Sequence, residues 1–196
     1  MSKRFYRVFI KRGFDVFFSL LLLVGLIPII ILISILVFFF IDKRFFFVQK
    51  RSGIVGKPFN LYKFRSLPAH ISSFSGYENN FSFFLRKSGL DEIPQLYNIL
   101  IGDMSFVGPR PLLMEYFTRY TQYQSQRLLV KPGLTGLAQI KGFNQLEWNH
   151  RFRYDVFYVK KQRFTLDSYI IFKTILIFVL LKRFQKAQPL YSEKFQ

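Results

Sequence analysis

The 196-residue chain contains no cysteine, two histidines and one tryptophan, and its 11 acidic residues are outnumbered by 29 lysines and arginines. The absence of cysteine excludes disulfide bonds and thiolate metal sites. Two histidines are too few to favour a histidine-rich metal site. A metal in this protein would therefore be a hard ion held by oxygen ligands, such as Mg²⁺.

The formal net charge of +18 at pH 7 favours anionic partners: nucleic acid, acidic lipid surfaces or phosphorylated small molecules. Nucleic acid is disfavoured, because the basic residues are spread over many segments and no nucleic-acid-binding motif is present. The aromatic share of 20%, with 27 phenylalanines, is unusual for a soluble protein and suggests lipid contact. The length predicts one domain with an appendage.

A long apolar segment runs from Val16 to Ile41 without a charged residue. As one helix it would measure about 39 Å, enough to span a hydrocarbon core of about 30 Å. Pro28 in its interior predicts a kink, and each half, at about 20 Å, is too short to cross alone. Three structures are open: a re-entrant hairpin bent near Pro28, which we favour, a single kinked transmembrane helix, and a buried core helix.

Basic residues flank this segment on both sides, and the positive-inside rule places them all on the cytoplasmic side. A helix that enters the membrane, bends and returns satisfies both flanks. The sequence therefore predicts a membrane anchor over residues 1–44, a cytoplasmic domain over residues 45–183 and a polar tail over residues 184–196. The flanking cations are Lys3, Arg4, Arg7, Lys11 and Arg12 before the segment, and Lys43, Arg44, Lys50 and Arg51 after it.

Residues 45–67 alternate apolar and polar side chains around two glycines and a proline, which predicts two short strands joined by a turn. Lys63 projects from the second strand, where it suits a membrane-facing surface as well as a phosphate site. Residues 68–82 are polar and predict a loop. The stretch "DSYIIFKTILIFVLLKRF" predicts an interfacial or packing helix, because its apolar run is too short to span a bilayer.

The stretch "RKSGLDEIPQLYNILIGD" places two of the scarce carboxylates, Asp91 and Glu92, side by side. Helical spacing of the apolar residues that follow, with a stop at Gly102, predicts a helix. Pro94 is tolerated only in the first turn of such a helix. Asp91 and Glu92 are therefore expected at the helix N-terminus.

Two interpretations of this acidic pair are open. The helix dipole at an N-terminus keeps carboxylates ionised, as a nucleophile or a Mg²⁺ ligand requires. Capping alone, with Ser88 and Asp91 forming a capping box, explains the same residues without any chemistry.

Several cations accompany the pair. Arg86 precedes it, and Arg110 is held between two prolines, a placement that suits bidentate phosphate binding. Arg127 and Lys131 lie beside the glycine-containing turns of "KPGLTGLAQI", whose backbone N–H groups can approach a phosphate or a base. Two acids and several arginines on rigid turns describe a magnesium–diphosphate site.

In this order the motifs resemble the bacterial sugar transferase family, the small monotopic phosphoglycosyl transferases that act on polyprenyl phosphate. The resemblance rests on "LDEIPQLYNILIGDMSFVGPRPL" and "KPGLTGLAQI", extends to "KRGFDVFFSLLLL", "KPFNLYKFRSL" and "WNHRFRYDVFYV", and covers most of the chain. It implies a mostly helical α+β fold. In this fold a re-entrant membrane hairpin bent near Pro28 carries a cytoplasmic catalytic domain and interfacial amphipathic helices.

The resemblance also implies transfer of a sugar-1-phosphate from a UDP-sugar to undecaprenyl phosphate, with release of UMP and a requirement for Mg²⁺. Asp91 is implied as the nucleophile, which forms a covalent phosphosugar intermediate, and as the metal ligand. Glu92 is implied to assist with the acceptor phosphate or its proton. We expect phosphate binding by Lys63, Arg86, Arg110 and Arg127, and nucleotide binding by Lys131, Thr135, Gly136 and Gln139.

By the same resemblance the protein lies at the cytoplasmic face of the bacterial inner membrane, with both termini cytoplasmic and membrane lipid as a partner. The oligomeric state is open, and a homodimer is one option. Phe143 stands where family members usually carry arginine, and the loop over residues 68–82 is short. These departures keep a second function open, that of a non-catalytic membrane-bound partner or scaffold in envelope glycan synthesis.

Overall fold

The structure is a computed structural model that describes residues 3–68, 79–142 and 146–178. It opens with a helical turn, Lys3–Phe5, and a π-helical segment, Tyr6–Lys11, which lead into α1, Arg12–Gly25. A second helix, α2, follows over Ile27–Phe40. No single helix in the described part of the chain is long and apolar enough to span a bilayer. The two arms of the bend pass that test together, by length and composition.

The chain bends by 62° between the two arms. Leu26 leaves the helical region with φ −94° and ψ 4°, and Pro28 lies in the first turn of α2. A first-turn residue has no intrahelical partner for its N–H, so the proline costs little there, whereas inside one continuous helix it would remove a hydrogen bond. The predicted bend near Pro28 is therefore present.

The two strands predicted over residues 45–67 follow the bent helix pair and form a β-hairpin. Strands β1, Phe46–Ser52, and β2, Pro58–Phe64, pair antiparallel, with Phe46 opposite Phe64 and Ser52 opposite Pro58. Phe59 and Leu61 are buried on one face of β2 and Phe64 on the other, while Phe46 and Val48 are exposed. The alternation in the sequence matches the two faces of this sheet.

Helix α3, Asn80–Ser88, begins inside the segment predicted as a loop. Asn79 caps it by accepting a 2.6 Å hydrogen bond from the Ser82 amide, which is why a polar stretch starts a helix here. A 3₁₀ turn, Leu90–Glu92, links α3 to α4, Gln95–Ile101. Gly102 ends α4 at φ 98°, as predicted.

A second small sheet pairs β3, Ser105–Val107, with β4, Gly133–Thr135, in parallel. A Cβ on Gly133 or Gly136 would collide with the Gly108 backbone, so these glycines permit close approach of the two chain segments. Short helical pieces connect the strands: 3₁₀ turns over Met114–Arg119 and Gln126–Leu129, with α5, Gln122–Ser125, between them.

The C-terminal part of the described chain is helical. It contains α6, Leu137–Lys141, α7, Trp148–Lys161, and α8, Phe164–Leu176. One core cluster joins both helical and sheet elements through Val107, Val130, Tyr158, Val159 and Ile170. The predicted tail over residues 184–196 and Phe143 lie outside the described residues. The mostly helical α+β class is confirmed, with two small sheets.

Apolar residues of both arms of the bend pack against the rest of the protein. Leu23 and Leu26 lie against the cluster that contains Leu96 and Ile99 of α4. Beyond the bend, Ile33 and Val37 of α2 are buried against β2 and α3. The bent pair is therefore continuous with the core on both sides of the bend.

A buried polar network also ties the first residues to α7 and α8. Asp167 accepts hydrogen bonds from Tyr6 Oη and Lys11 Nζ, each at 2.6 Å, and from Tyr158 Oη at 2.8 Å. Arg7 donates to Gln162 Oε1. Lys11, one of the flanking cations expected on the cytoplasmic side, is thus paired inside the protein.

The start of α1 holds the far end of α4 in the same way. Arg12 donates two 2.7 Å hydrogen bonds, to the carbonyls of Ile99 and Leu100. One turn later, Asp15 accepts from Ser105 Oγ at 3.0 Å and from the Phe106 amide at 3.1 Å. Side chains of α1 therefore hydrogen-bond to the segment that follows the acidic pair.

Candidate active site

Asp91 and Glu92 lie in the 3₁₀ turn that leads into α4. The predicted position at the start of a helix is confirmed, but the predicted capping box is wrong. Ser88 Oγ donates to the Leu85 carbonyl at 3.0 Å and accepts from the Leu90 amide at 3.4 Å, so Ser88 belongs to the end of α3. Among the described residues, no side chain caps α4. Capping therefore does not explain the acidic pair.

Glu92 is fixed by two cations. Its Oε1 accepts from Lys63 Nζ at 2.7 Å and from Arg110 Nη2 at 2.9 Å. Burial alone would raise the pKa of Glu92, but the charges of Arg110 and Lys63 outweigh it and lower the pKa to about 2. The ionised form of Glu92 is therefore favoured, and both hydrogen bonds end on the same oxygen.

Asp91 has the same type of side chain in a different environment. It is 7% exposed, and its Oδ2 lies 3.8 Å from Lys63 Nζ, beyond hydrogen-bonding distance. Burial raises its pKa to about 6, against the opposing charges of Lys63, Arg110 and Arg86. The helix N-terminus was expected to keep this group ionised, whereas burial and the neighbouring Glu92 charge act in the opposite direction and raise the pKa of Asp91.

Arg110 is positioned by the buried side chain of Arg127. Arg127 Nη2 donates to the Arg110 carbonyl at 2.6 Å, while its Nε donates to Asp155 Oδ2 at 3.0 Å and its Nη1 to Tyr120 Oη at 3.1 Å. Arg127 is 3% exposed. The structure thus places Arg110 at the acidic pair, as expected, and places Arg127 behind it. Arg86 lies near enough to Asp91 that the two charges interact.

Arg51 is a cation of this site that the sequence does not single out. It donates to Gln49 Oε1 at 2.6 Å, and its Nη1 lies 3.5 Å from the Pro111 carbonyl. Burial lowers its pKa to about 10, and the charge of Arg110 adds to the shift. No local pattern predicts this placement, because the loop that Arg51 touches is far away in the sequence.

Asn98 is a second residue that sequence reasoning missed. It is fully buried, its Oδ1 accepts from the Tyr62 amide at 3.1 Å, and its Nδ2 donates to the Asn60 carbonyl at 2.7 Å. These bonds fix α4 against β2 beside Lys63. An amide on the apolar side of "QLYNIL" is the signal that could have identified it.

Of the four residues expected to bind nucleotide, Gly136 and Gln139 lie together, whereas the side chains of Lys131 and Thr135 lie elsewhere. Lys131 points toward Gly102 at the end of α4, and the Thr135 hydroxyl is 2.7 Å from that of Thr174 on α8. Gly136 packs against the Gly108 carbonyl. Gln139 lines a cleft whose wall includes Arg110, the cation that pairs with Glu92. The structure does not gather these four residues into one site.

The acidic pair fits Mg²⁺ as an ion shared with a substrate. No group of three His, Cys, Asp or Glu side chains that could hold a metal alone occurs within residues 3–68, 79–142 and 146–178. Mg²⁺ is often held by one or two carboxylates together with substrate phosphates. Asp91 carries a carboxylate of this kind, and its Oδ2 lies 3.8 Å from Lys63 Nζ, beyond hydrogen-bonding distance.

Comparison with known proteins finds one matching family model and several similar proteins. The family model described as bacterial sugar transferase matches residues 6–181. The chain is 39% identical over 192 residues to the uncharacterized sugar transferase EpsL of Bacillus subtilis, and the match covers 95% of each protein.

Two larger relatives have names that describe a reaction. The UDP-glucose:undecaprenyl-phosphate glucose-1-phosphate transferase of Xanthomonas campestris is 36% identical over 86% of this chain and 38% of its own length. The undecaprenyl-phosphate galactose phosphotransferase of Salmonella typhimurium is 34% identical over 89% of this chain and 41% of its own length. The chain thus spans about two fifths of these two relatives.

Proposed function

Because this chain belongs to the bacterial sugar transferase family, we propose that it is a phosphoglycosyl transferase that moves a sugar-1-phosphate from a UDP-sugar to undecaprenyl phosphate. The named relatives carry this reaction in their names. The site supports the proposal, because two acids stand among Lys63, Arg86, Arg110 and Arg51. Such a cluster neutralises phosphate charge and positions the reacting groups.

One observation carries the mechanism: neighbouring carboxylates have unlike environments. Glu92 is bound by two cations, whereas Asp91 makes no contact with Lys63 shorter than 3.8 Å. In the proposed first step, an Asp91 oxygen attacks the sugar-bearing phosphorus. The bond from that phosphorus to the bridging oxygen breaks, and UMP leaves with the electron pair.

In the proposed second step, an oxygen of undecaprenyl phosphate attacks the phosphorus of the aspartyl intermediate. The bond to Asp91 breaks, which restores the carboxylate and gives undecaprenyl-diphosphate-sugar. Glu92, with a pKa of about 2, does not take up a proton near neutral pH. We assign it to holding Lys63 and Arg110 in position through both steps.

Mg²⁺ is the proposed cofactor, held by Asp91 together with substrate phosphate oxygens. When bound, it supplies further neutralisation of the diphosphate charge, which otherwise repels an attacking carboxylate. Arg110 and Lys63 contribute fixed positive charge to the same region, which orients the phosphates toward Asp91.

The re-entrant anchor at the cytoplasmic face of the inner membrane is the proposed topology. Residues before the bend are bonded to α4, α7 and α8, and Ile33 and Val37 beyond the bend pack against β2 and α3. Both arms therefore contact the same cytoplasmic domain. A single membrane crossing between them would separate contacts that are buried together, and this supports the hairpin.

A direct assay tests the function. Purified protein, Mg²⁺, undecaprenyl phosphate and a panel of UDP-sugars are expected to yield UMP, and Asp91→Ala is expected to abolish its release. Mass spectrometry of protein incubated with the productive UDP-sugar alone is expected to show a phosphosugar adduct on Asp91. Release at the wild-type rate by Asp91→Ala, or no release with any sugar, contradicts the proposal. A cellular phenotype unchanged by Asp91→Ala supports the non-catalytic scaffold instead.

A further inference from the structure

A cleft adjoins the acidic pair on the side of α7. Arg110 forms part of its wall and at the same time donates to Glu92, so this one side chain links the cleft to the acidic pair. Its remaining wall includes Gln139 from α6 and Trp148, Arg151 and Phe152 from α7. Nothing in the mechanism proposed above uses these four side chains.

The wall carries a flat stack of side chains. The Arg151 guanidinium lies over the Trp148 indole, 4.7 Å from the ring centroid, and Arg151 Nε is anchored to the Leu146 carbonyl at 2.7 Å. Phe152 stacks on the same indole with centroids 5.8 Å apart. Nucleotide bases stack on aromatic rings and on arginine guanidinium planes.

The charge in the cleft is positive. Arg110, Arg127 and Arg151 all line it, and the acid in its wall, Asp155, is bonded to Arg127. Arg110 and Arg151 therefore present two cations toward the same space. A phosphate group is the ligand that such a pair favours.

Gln139 contributes a hydrogen-bond acceptor, its Oε1, that has no partner in the described part of the chain. Its Nε2 donates to the Leu134 carbonyl at 3.2 Å, whereas its buried Oε1 has no hydrogen-bond partner. A buried acceptor without a partner is costly, and a ligand N–H group removes that cost. The imide edge of a pyrimidine such as uracil carries an N–H of this type.

We propose, on the basis of the transferase function above, that this cleft is the nucleotide subsite. The pyrimidine base stacks on the Trp148–Arg151 pair, the adjoining phosphate faces Arg110, and the second phosphate reaches Asp91. This subsite replaces the turn that carries Lys131, Thr135 and Gly136, which the sequence favoured.

Trp148 is the chain's single tryptophan, so intrinsic tryptophan fluorescence reports on this cleft alone. Titration of the full-length protein in nanodiscs with UMP is expected to quench the fluorescence saturably. Arg151→Gln is expected to weaken UMP binding about tenfold, a typical loss for a removed stacking or phosphate contact. Arg153→Gln, an exposed arginine on the same helix, is the matched control and is expected to bind UMP like the wild type.

Three outcomes overturn the inference: no quenching by UMP, equal UMP affinity in Arg151→Gln, or quenching by inorganic phosphate at the same concentration as UMP. Calorimetric titration of Trp148→Leu with UMP provides an independent measurement, and wild-type affinity there also overturns the inference.

The subsite and the proposed function can be tested separately. Asp91→Ala is expected to bind UMP normally while failing to turn over. UMP binding without transfer from any UDP-sugar therefore defeats the proposed function alone. Transfer with an unaltered KM for the UDP-sugar in Arg151→Gln defeats the subsite alone.

Discussion

At the scale of single residues, Asp91 and Glu92 show how the same chemical group acquires two roles within one turn. Both carboxylates are removed from water, which favours the neutral form. Lys63 and Arg110 reverse that effect at Glu92 through bonds of 2.7 and 2.9 Å, but at Asp91 the Lys63 contact is 3.8 Å. The direction in which each side chain leaves the turn decides the difference, and composition could not predict it.

The Lys63–Glu92 pair is expected to act as one unit. Glu92→Gln and Lys63→Met are each expected to lower kcat about 10²-fold, because either change disrupts the charge arrangement around Asp91. The double variant is expected to lose about 10²-fold as well, since both changes remove the same ion pair. Steady-state UMP release from the four proteins measures this coupling.

Lys57→Met serves as the control, because Lys57 is exposed on the same hairpin. It is expected to retain wild-type kcat. If the two single losses instead multiply to about 10⁴-fold in the double variant, Lys63 and Glu92 act independently and the unit does not exist.

At the scale of elements, the site depends on how β2 is aligned with α4. Asn98 holds the backbone of both Asn60 and Tyr62, and Lys63 is the next residue along the strand. Because successive residues of a strand point to opposite faces, a shift by one residue would turn Lys63 away from Glu92. Asn98 therefore positions Lys63 without touching the reacting groups.

Asn98→Ala is expected to lower the free energy of unfolding by about 2 kcal/mol, because it removes two part-buried hydrogen bonds, to the Tyr62 amide and the Asn60 carbonyl. It is also expected to lower kcat more than it raises the KM for the UDP-sugar, since Lys63 loses its position. Thermal unfolding in detergent and steady-state kinetics measure the two effects. Ile101→Ala, at an exposed position of the same helix, is the control, and an equal effect there would refute the positioning role.

Periodicity and chain punctuation made several of these elements predictable. The alternation over residues 45–67 predicts the β-hairpin, and Gly102 predicts the end of α4, because both signals are local. The acidic pair was also recognisable. The partners of Arg51 and Asn98 were not, because each contact joins segments distant in the sequence. Gly133 and Gly136 suggested a ligand loop, but their missing side chains serve backbone packing against Gly108.

At the scale of the whole molecule, the N-terminal helix is part of the machinery that holds α4. Arg12→Met removes two hydrogen bonds and a cation from the C-terminal turn of α4. We expect it to lower the free energy of unfolding by about 1–2 kcal/mol. Thermal unfolding in detergent measures the change. Arg4→Met, which changes an exposed cation in the preceding helical turn Lys3–Phe5, is expected to leave stability within about 0.5 kcal/mol of the wild type.

The membrane topology is testable with single cysteines, because the natural chain has none to remove. Cysteines at Arg4 and Lys50 are expected to react with a membrane-impermeant maleimide only in inverted vesicles, which expose the cytoplasmic face. A cysteine at Leu32, exposed on α2 beyond the bend, is expected to resist the reagent because it lies in lipid. The contacts of residues 6–15 with α4, α7 and α8 are compatible with the proposed hairpin, in which both flanks lie on one side. Labelling of positions 4 and 50 from opposite sides would establish a single membrane span, which is incompatible with those contacts.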